Sequence, residues 1–169
     1  MSISHKLAKF LKRHKVPYEL QAHPQTFTAC ETAQCEHIPG RRLAKPVMVK
    51  IDGKDAMVVV PSNRTVDLLK LGTVLVSEDI RVVREPEFKN LFPECEAGAM
   101  PPFGPIYGVP CYADERLWEE DVLYFNAGNH QETVSILTSD FFRVAKAIPG
   151  DFSVEGKKIA ASRFEKRSA

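Results

Sequence analysis

The chain has 169 residues, of which 44% are hydrophobic and 27% are charged. This length fits one domain with a core large enough to fold unaided, and the composition excludes a disordered chain. The net charge of +1 at pH 7 argues against a protein that coats nucleic acid, so no DNA partner is expected.

The charges are unevenly distributed along the chain. Residues 1–15 carry five Lys or Arg side chains and no acidic one, and residues 157–169 carry five against a single Glu. Basic ends of this kind could dock on a phosphate backbone. A pair of solvated helix faces would carry the same charges without any partner, and the sequence leaves both explanations open.

No stretch reaches the roughly 18 apolar residues of a membrane span, and no apolar segment follows the basic N-terminus as in a secretory signal. We therefore expect a cytoplasmic protein without a membrane partner. The cysteines lack the C-x-x-C spacing that is typical of zinc sites. We expect reduced, mostly buried thiols and neither a metal nor another cofactor. The cysteines are Cys30, Cys35, Cys95 and Cys111.

Hydrophobic periodicity and turn residues predict the elements of the first half of the chain. They are an opening helix that Pro17 ends, a strand at 17–22, a helix from a Thr28 cap through 35, strands at 47–51 and 56–60, and a helix at 66–75. Asp52-Gly53 joins the two longer strands, and this pair is typical of a type I′ hairpin turn.

The second half is predicted in the same way. Its elements are a strand at 80–83, a short helix at 85–91, a strand at 109–113, a hairpin of strands at 122–126 and 133–137, and a last helix through 147 capped by Thr138 or Ser139. Pro149-Gly150 is expected to stop that helix, and a poorly ordered tail is expected to follow. The domain is thus predicted to span residues 1–148, with a basic C-terminal tail at 149–169.

Strands outnumber helices in this pattern. It predicts an α+β domain with a mixed, curled, barrel-like sheet that is covered by helices. The sequence contains neither G-x-G-x-x-G nor G-x-x-x-x-G-K-[ST], so it lacks the main motifs of folds that bind nucleotide cofactors.

Residues 98–104 have the sequence Gly-Ala-Met-Pro-Pro-Phe-Gly, an apolar stretch between two glycines. Two consecutive prolines fix φ and remove two N–H donors, so this stretch can be neither a helix nor a central strand. The glycines allow a positive φ and the close approach of another molecule. We expect the 98–104 loop either to line a binding site or to form a tight turn under a sheet, and the loop alone does not decide between them.

Lys45 lies in a locally basic stretch at the start of the first predicted hairpin, immediately before Pro46. A lysine in that place could bind a phosphate or a carboxylate as a point charge. It could equally be an ordinary surface lysine.

Seven short motifs follow one another along the chain. They are Pro17-Tyr18-Glu19, His23-Pro24, Arg41 to Lys45, Ala56 to Pro61, Gly98 to Pro102 followed by Phe103-Gly104, Phe125 to Gly128 with His130, and Ser139-Asp140-Phe141. Each motif is weak alone, but in this order they make the chain resemble the YbaK/prolyl-tRNA-synthetase-associated domain family from about residue 5 to residue 147. The resemblance implies the family's fold and an editing domain that hydrolyses mischarged aminoacyl-tRNA.

The resemblance also implies a role for each matched residue. Lys45 corresponds to the family's essential lysine, near the phosphate or ribose of the terminal adenosine. Gly98 and Ala99 belong to the floor of the aminoacyl pocket, where their backbone N–H groups would stabilise an oxyanion. The remaining residues would bind the substrate, although His130 could equally be a polar turn residue. These residues are Met100, Pro101, Pro102, Phe103, Gly104, Asn126 and His130.

The function implied by the resemblance is an aminoacyl-tRNA deacylase that acts in trans on the acceptor end of mischarged tRNA, with an aminoacyl-tRNA synthetase as a further candidate partner. The alternatives are a non-catalytic module that binds tRNA or protein, and a hydrolase of another small ester or amide. No serine or cysteine lies in a recognisable Ser/Cys-His motif, so a thiol mechanism is not favoured.

The 98–104 loop departs from the better-known members of the family. Those tend to carry a second glycine or a hydroxyl residue where this chain has Ala99 and Pro101. A pocket of this kind selects by size, and one methylene changes binding by only about 1–3 kcal/mol. A floor lined by Met100 favours a small side chain, and the identity of the amino acid stays open.

Overall fold

The computed structural model describes residues 3–26, 32–33, 37–96 and 98–155. The helices are α1 (His5–Arg13), α2 (Leu68–Leu75), α3 (Glu85–Phe88), α4 (Gly104–Tyr107) and α5 (Thr138–Ala145), with 3₁₀ helices at Gly40–Arg42, Lys89–Leu91 and Glu115–Glu119. The strands are β1 (Glu19–Ala22), β2 (Ala44–Ile51), β3 (Lys54–Pro61), β4 (Arg64–Val66), β5 (Ile80–Val82), β6 (Cys111–Asp114), β7 (Val122–Asn126), β8 (Glu132–Leu137), β9 (Ile148–Gly150) and β10 (Ser153–Glu155).

The described strands form three sheets. In the five-stranded sheet the order is β5-β2-β3-β6-β9; β2 pairs antiparallel with β3 and β5, and β6 pairs parallel with β3 and β9. The second sheet is antiparallel with the order β1-β8-β7, and β4 and β10 form an antiparallel pair. The predicted α+β class with a mixed sheet is confirmed, and the described strands form separate sheets rather than a closed barrel.

The hairpin of β2 and β3 forms as its turn residues predict. Asp52 has a φ of 52° and Gly53 a φ of 81°, and a type I′ turn requires a positive φ at both of its central residues. The register places Ile51 opposite Lys54, directly beside the turn. Local sequence therefore determines where these two strands pair.

The five-stranded sheet separates two hydrophobic clusters. Side chains alternate between the faces of a strand, so Met48 and Met57 pack in the larger cluster and Val49 and Val58 in the smaller one. The larger cluster also contains apolar residues of α1 and α5, whereas the smaller one contains Leu71 of α2. None of the described helices combines the length and the apolar character that crossing a membrane requires.

The opening helix ends earlier than predicted, at Arg13 instead of Pro17. Lys15 has a φ of 55°, and two hydrogen bonds close the helix end: the Val16 N–H donates to the Leu11 carbonyl at 2.9 Å and the Lys15 N–H to the Lys12 carbonyl at 3.1 Å. This is a Schellman motif, which satisfies the last carbonyls of the helix. The left-handed turn at Lys15 therefore stops α1 before the proline is reached.

The C-terminal part departs most from the prediction. Neither Thr138 nor Ser139 caps α5, because its N-cap position is Leu137. Pro149 and Gly150 belong to β9, which forms an edge of its sheet, and an edge strand tolerates a proline because its N–H is not needed. Residues 149–155, placed in the tail by the sequence analysis, thus contribute to two sheets, while residues 156–169 lie outside the described residues, as does most of the helix predicted after Thr28.

Candidate active site

The turn that joins β7 to β8 is bonded to the segment that leads into the 98–104 loop. The Glu96 N–H donates to the Gly128 carbonyl at 2.9 Å, and the Gly128 N–H donates to the Ala99 carbonyl at 3.0 Å. This pair of hydrogen bonds fixes the start of the 98–104 loop against the turn.

Two other parts of the chain also reach this turn through their backbones. The hydrogen bonds run from the Ser4 N–H to the Ala127 carbonyl (2.8 Å), from the His23 N–H to the Gln131 carbonyl (2.8 Å) and from the Thr26 N–H to the His130 carbonyl (3.0 Å). The N-terminus, the segment after β1 and the 98–104 loop therefore meet at one place. Segments distant in sequence converge here, as they do in many binding sites.

Gly128 permits this close approach. Its φ is +99°, and a Cβ at this position would lie 2.7 Å from the Cβ of Ser4. Any larger residue would strain the backbone and displace the N-terminus. The glycine is thus required by the packing of the turn.

Gly98 and His130, both predicted site residues, lie next to each other. Gly98 is exposed and has a φ of +77°, and a Cβ there would lie 3.8 Å from the Cε1 atom of His130. The imidazole itself is almost completely buried, with an exposed fraction of 6%. The exposed backbone of Gly98 thus lies against the buried ring, and a glycine lets another molecule approach the backbone closely.

The N–H group of Ala99 cannot serve the predicted oxyanion role in this conformation. It donates to the Glu96 carbonyl at 3.0 Å, so it is already engaged inside the chain segment. Met100 follows directly, and its N–H is a backbone donor of this loop that stays without an acceptor in the described part of the chain.

The end of the 98–104 loop belongs to the core. Phe103 is fully buried, and its ring packs against the rings of Phe10, Phe125 and Phe141. A Cβ on Gly104 would lie 2.5 Å from the Val109 carbonyl oxygen, so the packing at this position leaves no room for a side chain. Both residues thus have a packing role in this structure, and their predicted contact with a substrate stays a prediction.

The middle of the loop is buried as well. Met100 has an exposed fraction of 6% and belongs to the larger hydrophobic cluster, and Pro101 and Pro102 are also buried. The sequence left two possibilities for this loop, that it lines a binding site or that it forms a tight turn under a sheet. Its apolar part is packed in the protein interior. Gly98, at its start, is the exposed residue beside the turn.

Two buried acceptor atoms near the turn have no partner among the described residues. They are Oδ1 of Asn126, at the end of β7, and Nε2 of His23. The Nδ1 atom of His23 lies 2.7 Å from the Pro24 carbonyl oxygen, which can only accept, so Nδ1 carries the proton and Nε2 presents a lone pair. A buried acceptor without a donor costs about 1–3 kcal/mol, and a bound donor would recover that cost.

No role is predicted for His23 from the sequence, although its His-Pro motif supports the resemblance. The His-Pro motif is the only sequence feature that could have drawn attention to this residue. That Nε2 is left as an acceptor without a partner follows from the hydrogen bond at Nδ1, which is seen only in the folded chain. Asn126, by contrast, was predicted, and its unpartnered amide oxygen is consistent with a ligand contact.

Lys45 is separated from the buried part of the loop. Its ammonium donates to the Arg64 carbonyl at 3.1 Å. Because side chains alternate along β2, Lys45 lies on the same face of the sheet as Val47, which packs against the smaller cluster. Met100 belongs to the larger cluster, on the other face of the sheet. Lys45 and Met100 therefore lie on opposite faces of the five-stranded sheet.

The arginines that precede Lys45 in the basic stretch have structural partners. Glu120 accepts from the Nε of Arg42 at 2.8 Å and lies 3.3 Å from the Nε of Arg41. The hydrogen bond that Arg42 donates to Glu120 raises the pKa of the Arg42 guanidinium further above its ordinary value. These ion pairs join the segment that leads into β2 to the 3₁₀ helix at Glu115–Glu119 and the residue that follows it.

Both cysteines in the described part of the chain are poor nucleophiles. Burial raises the pKa of the Cys95 thiol, and it raises the pKa of Cys111 to about 11. The reactive form of cysteine is the thiolate, so at neutral pH these residues remain protonated. Cys30 and Cys35 lie outside the described residues, and the described ones contain no group of three or more metal-ligating side chains.

We expect Cys111 to resist alkylation by iodoacetamide in the folded protein at neutral pH, because its thiol is buried and protonated. Mass spectrometry of the native protein should find it unmodified, and after unfolding in urea it should react at the rate of a free thiol. Equal rates in the folded and unfolded protein would contradict this assignment.

Two comparisons of sequence bear on the family. The model of the aminoacyl-tRNA editing domain family matches residues 23–144, well over half of the chain. A proline–tRNA ligase of Acidithiobacillus ferrooxidans (strain ATCC 53993 / BNL-5-31) is 30% identical over 93 residues, which are 55% of this chain and 16% of the ligase. The match thus spans only 16% of the length of the curated relatives.

Solved structures share the fold at low identity. The hypothetical protein APE2540 superposes with a TM-score of 0.79 and 18% identity, over 89% of this chain and 100% of that one. A candidate trans-editing enzyme for prolyl tRNA synthetase superposes with a TM-score of 0.76 and 18% identity, over 89% of this chain and 96% of that one. At these identities the likeness establishes the fold, and the fold expected from the sequence motifs is confirmed.

Proposed function

Because the chain belongs to the aminoacyl-tRNA editing domain family, we propose that it is an aminoacyl-tRNA deacylase that hydrolyses the ester of mischarged tRNA in trans. The observation that carries this proposal is the approach of exposed Gly98 to buried His130 at the β7–β8 turn. Both residues were implied as site residues by the motifs of the same family.

The reaction needs little covalent assistance because an aminoacyl ester is already activated. A water oxygen adds to the ester carbonyl carbon, the bond from that carbon to the ribose oxygen breaks, and a proton passes to the ribose oxygen. The products are a free amino acid and deacylated tRNA. The protein must orient the water and stabilise the oxyanion, and each backbone donor of this kind contributes roughly 3 kcal/mol in other hydrolases.

The residues near the turn can supply those contacts. The Met100 N–H is the candidate donor to the oxyanion, since the Ala99 N–H is engaged with Glu96. Asn126 Oδ1 and His23 Nε2 are acceptors that could take hydrogen bonds from the amino group of the substrate or from a water. In this proposal the aminoacyl group contacts the exposed backbone of Gly98, which lies beside His130.

Lys45 is proposed to hold the nucleotide end of the substrate. An ammonium on a flexible stem binds phosphate as a point charge, and the Arg64 carbonyl fixes the ammonium at the start of β2. Holding the adenosine end in place would align the ester for attack, which is catalysis by positioning. A synthetase as an additional partner and the cytoplasm as the location are parts of the same proposal.

Replacement of Lys45 by alanine is expected to lower kcat/KM for the deacylation of mischarged tRNA by about 100-fold, because misplacement of a substrate by about 1 Å can cost that much. The measurement is the first-order loss of labelled amino acid from a panel of mischarged tRNAs. Lys50→Ala is the matched control, since Lys50 lies in the same strand and pairs with Asp55 at 3.6 Å on the surface.

The control should retain the wild-type rate. A protein that binds tRNA with a salt-dependent affinity but releases no amino acid would instead be the non-catalytic module. Activity on free amino-acid esters alone would indicate a hydrolase of another small substrate.

A further inference from the structure

A groove of about 420 Å³ lies where α1, the start of α4 and the end of α5 meet. Its floor is apolar and includes Phe10 and Ile106. Its rim is basic and carries Lys6, Lys9, Arg13, His14 and Lys146, and none of the described residues that line it is acidic. We call these five residues the basic groove.

The stability of the fold does not explain these charges. The first turn of α1 has no acidic residue, and Lys6 lies near the helix end where the macrodipole disfavours a cation. Lys6 and Lys9 are three residues apart and Lys9 and Arg13 are four apart, so like charges face each other along the helix. Like charges at this spacing lower the stability of a helix, so they do not serve the stability of α1.

Apart from Glu94, whose carboxylate accepts from the Lys6 N–H at the first turn of α1, no described carboxylate is bonded to the groove residues. Each described ion pair joins other residues, and none involves Lys9, Arg13 or Lys146. The side chains of these three residues are exposed. The ammonium of Lys6 lies 5.8 Å from the centre of the Tyr107 ring. The basic groove thus presents a concentrated positive charge to the solvent.

The basic groove begins beside the candidate active site. The Lys6 N–H donates to a carboxylate oxygen of Glu94 at 3.0 Å, and the Ser4 N–H donates to the Ala127 carbonyl at 2.8 Å. The first turn of α1 is therefore fixed against the β7–β8 turn. With nine residues, α1 is about 13 Å long, so the groove extends roughly that far from the site.

We propose that the basic groove binds the phosphate backbone of the tRNA acceptor stem while the acceptor end occupies the candidate active site. This inference rests on the proposed function for the identity of the RNA. The groove offers lysine and arginine point charges in a row, which suits successive phosphates and reads no sequence. Selection among tRNAs is then left to other parts of the protein.

The test is the double substitution Lys9→Glu/Lys146→Glu, with unfractionated deacylated tRNA as the RNA in a fluorescence binding assay. Loss of two phosphate contacts should weaken binding at least about tenfold near 0.1 M salt. The slope of log K against log salt should also fall in magnitude by about 2, at ~0.9 per contact. Lys9→Gln/Lys146→Gln, which removes charge without adding repulsion, should reduce the slope by the same amount.

The matched control is Lys50→Glu/Lys54→Glu, which makes the same change in net charge on the β2–β3 hairpin. It should bind tRNA almost as the wild type does. Equal affinities of the groove and hairpin variants, or an unchanged salt slope in both groove variants, would overturn the proposal. Thermal unfolding midpoints close to that of the wild type will establish that each variant is folded.

The same experiment separates this inference from the proposed function. Tight binding that depends on the groove, with no release of amino acid from any mischarged tRNA, would overturn the deacylase activity and leave the groove assignment intact. If the groove variants deacylate at the wild-type rate and bind tRNA with unchanged affinity, the groove assignment is overturned and the deacylase activity stands.

Discussion

Replacing Phe103 by alanine is expected to lower the free energy of unfolding by about 3 to 5 kcal/mol. The side chain is fully buried, and its ring centre lies 5.5 Å from that of Phe10, 5.1 Å from that of Phe125 and 5.6 Å from that of Phe141. Alanine would leave a cavity between α1, β7 and α5. Urea denaturation followed by circular dichroism measures the change.

Phe103→Leu is the control, because it retains most of the buried volume and should cost clearly less. A loss below about 1 kcal/mol for Phe103→Ala would mean that the ring is not in the core. That result would favour the interpretation of Phe103 as a substrate contact. Since domains have only about 5–15 kcal/mol of stability, the expected loss would also disturb the 98–104 loop and lower activity indirectly.

Replacing Asp114 by alanine is expected to cost about 3 kcal/mol, because it leaves the buried Phe152 N–H and the partly buried Arg116 groups without this acceptor. The carboxylate is fully buried. It accepts from the Arg116 N–H at 3.0 Å, from the Arg116 guanidinium at 3.2 Å and from the Phe152 N–H at 3.0 Å. It therefore joins the end of β6 to the segment between β9 and β10.

Asp140→Ala is the matched control, since the pair of Asp140 with Arg143 lies on the surface of α5 at 2.9 Å. Exposed pairs of this kind contribute at most about 1 kcal/mol. Thermal and urea unfolding of both variants should show a much larger loss for Asp114→Ala. Equal losses in the two variants would contradict the role assigned to the buried carboxylate.

Local signals predicted the elements that local interactions determine. The Asp52-Gly53 turn fixed the hairpin of β2 and β3 because both residues adopt the positive φ that the turn needs. The apolar stripe of α1 predicted the helix, but its end depends on the left-handed Lys15, which has no signature in the sequence.

The C-terminal strands could not be predicted because long-range contacts create them. β9 and β10 have three residues each, and β9 contains the Pro149-Gly150 pair that ordinarily marks a break. Pairing with β6 and β4 forms these strands, and the bond from the Phe152 N–H to Asp114 holds the segment between them. No window of the sequence carries that information.

The sequence predicted which residues belong to the candidate site, but it did not predict the contacts that they make. The motifs named Gly98 and His130, and the fold brings them together. The bond from the Ala99 N–H to Glu96, the burial of Phe103 and the orphaned nitrogen of His23 all depend on neighbours that are distant in sequence or on exact backbone geometry. The position of Lys45 across the sheet from Met100 follows from strand alternation once the register is known.

The rate of ester hydrolysis on a panel of mischarged tRNAs tests the central claim most directly, with wild-type protein, Lys45→Ala and buffer alone measured side by side. We expect the wild type to release amino acid from at least one member of the panel well above the spontaneous rate, and Lys45→Ala to be slower by about 100-fold. No release above the spontaneous rate from any member, or full activity of Lys45→Ala, would contradict the proposed site and its function.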